Sequence, residues 1–162
     1  MPHYDIAFAE KLSQVANLVV VDGIEEIEAQ RTVLYLSLLS TEISLKAMLE
    51  KAGRPVTEIR SRSHDLAKLL KDLDQCKVNA EIAAGKTSVV SASRIRAITL
   101  QHGDAEITVG TVLDTKPGDT SHYPNEVRYG FGIRHYPATT IAQLSAKLIT
   151  FAINNWSGLH MR

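Results

Sequence analysis

Between residues 24 and 53, apolar side chains recur at spacings of three and four, which predicts one long amphipathic helix. On a helical projection Tyr35, Leu38, Leu39, Leu45 and Leu49 lie within roughly 60° of Glu42, and Ser37, Ser40, Ser44 and Lys51 lie opposite. Glu25, Glu26 and Glu28 suit the positive end of the helix dipole, and Gly53 followed by Pro55 marks the stop. Residues 5–21 form an earlier helix. Asp5 is its expected N-cap, Phe8, Leu12, Val15 and Val19 are its apolar face, and Asp22-Gly23 is the turn into the long helix. After a basic connector at 54–62, Ser63 is the expected cap of a third helix carrying Leu66, Leu69, Leu70 and Leu73, with His64 in its first position. A final helix follows Pro137. Thr140 and Gln143 have capping-box spacing, Ile141, Leu144, Leu148, Ile149, Ala152, Ile153 and Trp156 face one way, and Gly158 ends it.

The pattern weakens over 79–120. Ala80 to Ala84 reads as a continued or short helix. Residues 94–100 and 106–113 fit two strands of a hairpin with Gly103-Asp104 at its tip, the alternative being a helix over about 89–101 followed by a loop. Pro117, Gly118 and Pro124 make 115–125 a loop, and the glycines and proline of 129–137 exclude regular helix there. The expected fold is all-α: an up-and-down bundle of four to five helices in a single domain over 1–162. An irregular or β-hairpin insertion at about 86–120 precedes the last helix.

Composition narrows the function classes only a little. Hydrophobic residues at 44% and charged residues at 22%, with zero formal net charge, are ordinary for a globular domain and give no global pull toward nucleic acid or anionic membrane. One cysteine, Cys76, leaves no internal disulfide and fits a reducing compartment. The first residues mix acidic and polar types where a signal peptide would be basic and then apolar. The expectation is a cytoplasmic protein without membrane attachment.

Candidate chemistry centres on Glu42, a carboxylate aimed at the core. A buried carboxylate needs a partner, because stranding one costs about 3–5 kcal/mol. Lys46 stands one turn on in the favourable order, and Arg128, whose planar guanidinium suits a buried bidentate pair, is the favoured partner. Arg54, Arg60, Arg62, Lys68 and Lys71 could follow a phosphate backbone or form a solvated face. The six histidines are not paired at helical metal spacing, so neither metal nor cofactor is expected. Gly85-Lys86-Thr87 imitates the end of a phosphate loop, but it lacks the first glycine and the preceding strand.

Three pieces stand in order: Glu42-Ile43-Ser44-Leu45-Lys46 within a long helix, Ser63-His64-Asp65-Leu66 opening the next, and Tyr123-Pro124-Asn125-Glu126-Val127-Arg128-Tyr129 before the last. This arrangement resembles the HEPN family, the higher eukaryotes and prokaryotes nucleotide-binding domains. The resemblance implies a helical bundle that dimerises through helix faces and interacts with nucleotide or RNA. It also implies a place in a defence or toxin–antitoxin system, either as a nucleotidyltransferase's assembly partner or as a metal-independent endoribonuclease. Ribonuclease members carry Arg and His with four to six residues between them; here Arg128 and His135 have six, the upper limit of that spacing. His135 would then act as general acid or base, Arg128 would stabilise the phosphate, and Arg134, with His64, Arg60 and Arg62, would bind nucleotide or RNA. Tyr129 departs from the polar residue usual after the Arg, and Gly130 and Gly132 keep the pair off a continuous helix.

Overall fold

A computed structural model describes residues 1–114 and 136–161. Its helices are α1 (Ile6–Asp22), α2 (Ile27–Lys51), α3 (Val56–Ser61), α4 (Leu66–Leu73), α5 (Val109–Leu113) and α6 (Ala138–Asn155). The strands are β1 (Cys76–Ala83), β2 (Lys86–Ser91), β3 (Thr99–His102), β4 (Ala105–Thr108) and β5 (His160–Met161). The all-α expectation is corrected to a mostly helical fold with antiparallel sheets, one of three strands in the order β2-β1-β5 and one pairing β3 with β4.

The ends of the long helices follow local chemistry. Asp5 accepts a 2.8 Å bond from the Ala7 amide at the start of α1. At the end of α2, Gly53 has a φ of +98°, and the Gly53 and Arg54 amides donate back to the Glu50 and Leu49 carbonyls. That double closure satisfies two otherwise open carbonyls, and it needs the left-handed backbone that glycine adopts without a Cβ penalty.

α2 is buried on nearly every side, so its serine face is not the solvent face that the projection suggested. Ser37, Ser40 and Ser44 are fully buried, while Lys51 is exposed. The Ser40 hydroxyl donates to the Ala9 carbonyl of α1 at 2.7 Å, and Ser44 and Thr41 donate to carbonyls one turn back. α1 turns Ala9, Ser13 and Ala16 inward against this face, and Ser13 shares a 2.9 Å hydroxyl contact with Ser145 of α6. Small side chains let the helix backbones approach closely. The expected apolar face of α1 is therefore corrected: Phe8 and Val15 are exposed, and Leu12 and Val19 are only half-buried. By length and hydropathy α2 would suffice to cross a membrane, yet here it is the helix about which the core forms.

The connector holds α3, whose Ile59 is buried. Ser63 does not cap α4: its φ is +52°, Asp65 is the cap that accepts from the Lys68 amide, and His64 lies in the turn ahead of it. Residues 80–83 belong to β1, which pairs with β2 across a two-residue Ala84-Gly85 tip. The second hairpin does turn at Gly103-Asp104, but with shorter strands than expected. Residues 94–97 lie in a 3₁₀ turn (Ala92–Ala97), and 109–113 form α5. Thr140 and Gln143 do not form a capping box; they bond the carbonyl and amide of Gln101 at 2.8 and 3.0 Å and staple β3 to α6. α6 ends in a 3₁₀ turn (Trp156–Gly158), and β5 returns to pair Met161 with Cys76 and His160 with Lys77.

Candidate functional site

Glu42 is buried, as its place on the helix requires, with 6% of its side chain exposed. Two partners satisfy it among the described residues. Lys46, one turn along α2 and 9% exposed, donates to Oε1 at 2.7 Å. His64 places Nδ1 at 3.1 Å from Oε1 and 3.0 Å from Oε2. The Lys46 ammonium also stands 5.5 Å from the centre of the Tyr4 ring. The segment carrying Tyr4 is anchored in turn, because the amides of His3 and Tyr4 both donate to the Glu50 carboxylate.

The turn that presents His64 is pinned from both sides. Arg62 grips Asp72 with Nε at 2.6 Å and Nη2 at 3.2 Å, a hydrogen bond that raises the guanidinium's pKa above its already high value. Asp65 caps α4, and its own amide donates to the Arg62 carbonyl. Held there, the imidazole is half exposed. A carboxylate can only accept, so the ring nitrogen facing Glu42 donates through Nδ1–H, and Nε2 is not engaged by Glu42. That nitrogen accepts a proton or a hydrogen bond from a ligand and, once protonated, donates one.

Of the five cations in and after the basic connector, Arg60, Lys68 and Lys71 are exposed. Arg54 is folded inward, its nitrogens 3.3 Å from Glu58 and 3.4 Å from Asp72, and Lys68 lies 3.2 Å from Asp65. Arg62 acts as a clamp on Asp72, whereas Arg60 is exposed on α3. Of the residues expected to bind or react, the structure brings together Glu42 and His64, flanked by Arg60 and Arg62 in the same stretch of chain. Arg128, Arg134 and His135 lie outside the described residues.

Lys46 was legible only as a surface-type pair, and Tyr4 and Asp72 carried no signal of their own. A polar cleft of about 430 Å³, away from Glu42 and His64, lies between β1, the 3₁₀ turn after β2 and the end of α6, lined by Asn79, Glu81, Arg94, Ile98, Phe151 and Asn155 among others. None of these residues had been singled out. Cys76 is buried 3.5 Å from the Met161 sulfur, and burial pushes its thiol up to about 11, which leaves very little thiolate at neutral pH. Among the described residues, no three His, Cys, Asp or Glu side chains gather as a metal-holding group. No family model, curated protein or solved structure matches this chain.

Proposed function

We propose that this chain is a cytoplasmic, homodimeric, HEPN-like module that binds a nucleotide or RNA, with His64 contributing a directed hydrogen bond to the bound phosphate or base. One observation carries the reading: a half-exposed imidazole is held through Nδ1 by a buried carboxylate that Lys46 neutralises. Arg60, exposed on the neighbouring helix, supplies a cation in the same stretch of chain.

The test is titration of a fluorescent single-stranded RNA, with ATP as competitor, against the wild type and His64→Asn. Asparagine keeps a donor toward Glu42 and removes the outward nitrogen. The expected loss is about tenfold in affinity, or ~1.4 kcal/mol, with the salt dependence unchanged. Equal binding by both proteins, or binding of neither probe by the wild type, overturns the reading.

A second reading is a metal-independent endoribonuclease using Arg128 and His135, which lie outside the described residues. RNA cleavage in EDTA by the wild type, lost in folded Arg128→Ala and His135→Ala, would establish it; an inactive wild type would leave binding alone.

A further inference from the structure

α1 is built with its larger apolar residues facing out. Its inward residues are Ala9, Ser13 and Ala16, while Phe8 is 52%, Leu18 68% and Val21 85% exposed, and Val15 is exposed between them. Ile27, just past the connector at the same end as Val21, is 65% exposed. Positions 8, 11, 15, 18 and 22 alternate by three and four residues along the 17-residue helix, the spacing of a seam between two paired helices. The sequence along that seam is Phe8, Lys11, Val15, Leu18 and Asp22. Leu12 and Val19, half-buried, border it on one side, and Val21 borders it on the other.

We propose that this face is the seam of the homodimer, with α1 of one copy antiparallel to α1 of a second copy. This inference rests on the homodimeric reading given above and adds its surface, orientation and register. Charge selects the orientation. The far end of α1 and its connector carry Asp22, Glu25 and Glu26, with Glu28 opening α2, and all four are exposed. A parallel pair would bring these two acidic ends together, where like charges repel. An antiparallel pair sets each acidic end against the positive N-terminal end of the other α1 and its Lys11, while Asp5 there is already engaged as the cap.

Register follows from the same residues. A two-fold axis midway between Val15 and Leu18 places Val15 against Leu18 of the second copy and Lys11 against its Asp22. Such an axis keeps like flanks together, so the half-buried Leu12 lies beside Val19 of the second copy. Phe8 falls level with its Glu25. The central positions of the face answer themselves, as an interface with two-fold symmetry requires.

The experiment is sedimentation equilibrium of the full chain up to about 100 μM, with circular dichroism melts to verify folding. The proteins are wild type, Leu18→Glu, Lys11→Glu, Asp22→Lys and the Lys11→Glu/Asp22→Lys exchange. Expected are a wild-type dimer, a folded Leu18→Glu monomer, single charge variants weakened by about tenfold, and near wild-type association in the exchange. A wild-type dimer that Leu18→Glu leaves intact overturns the α1 seam while the homodimer reading stands. A monomeric wild type overturns both. Failure of the exchange to restore what each single change loses overturns the antiparallel register.

Discussion

Replacing Lys46 by methionine keeps the length of the side chain and removes its charge from a carboxylate that is 6% exposed. Deleting one member of a buried ion pair costs about 3–5 kcal/mol, because the other charge stays behind desolvated. Here Glu42 keeps both contacts to His64, and the half-exposed ring links it to water, so the cost belongs at the low end, about 3 kcal/mol. In a domain of this size that corresponds to about 6–12 °C in melting temperature. Glu42→Met strands the ammonium instead. The Tyr4 ring offsets part of that loss, leaving about 2 kcal/mol. The double variant, with two apolar side chains of similar volume in place of the pair, should fall within about 1 kcal/mol of the wild type or exceed it. Urea unfolding of all four proteins closes the cycle, with an expected coupling of about 4 kcal/mol. If Lys46→Met costs less than about 1 kcal/mol, or if the two single losses simply add in the double variant, Glu42 is not held as a buried ionised partner and the account of the site fails.

Two further outcomes test the frame around the site. Burial opposes ionisation of Glu50, but the His3 and Tyr4 amides and the His3 side chain outweigh it and hold the carboxyl below its ordinary range. A depressed carboxyl contributes its full stability above its unfolded-state pKa and loses it as pH falls through the folded one. Glu50→Gln should therefore cost about 1 kcal/mol at pH 7 and progressively less below the ordinary value of 4.5, and a penalty independent of pH would contradict the clasp. Gly158→Ala places a Cβ 2.9 Å from the Asn79 amide nitrogen, a contact with backbone that must shift. It should lower the melting temperature by about 4–8 °C, a cost of about 2 kcal/mol, and an unchanged melt would show that β1 and the final 3₁₀ turn are not locked together.

What the sequence made legible was punctuation more than packing. Asp5, Gly53 and the stretch around Gly158 mark helix ends through local backbone chemistry, and that chemistry holds wherever the helix is later placed. Glu42 was legible as buried because Tyr35, Leu38, Leu39, Leu45 and Leu49 share its side of the helix. Its partners were harder to read. Lys46 shares the arc of Glu42, but a pair at i,i+4 is weak when exposed, and a buried carboxylate pointed instead to the planar guanidinium of Arg128. β1 was illegible for a different reason: alanine, asparagine, lysine and glutamate along it have little intrinsic strand preference, and pairing with β2 and β5 makes the strand.

The hardest misreading, that of α1, is also the most informative. A reading by hydropathy assigns Phe8 and Val15 to the core, yet Ser40 of α2 bonds the Ala9 carbonyl of α1, and the residues that α1 buries are as small as Ala9, Ser13 and Ala16. Size complementarity decides which face turns inward, and the larger side chains are left outside as a consequence. A helix so oriented keeps unburied apolar surface that folding of this chain alone does not use. The hydroxyl bonds at its inner face, Ser40 to the Ala9 carbonyl and Ser13 to Ser145, oppose rolling the large residues inward, since any rotation would leave those buried polar groups unpaired. The outward face is thus fixed by the same contacts that close the core.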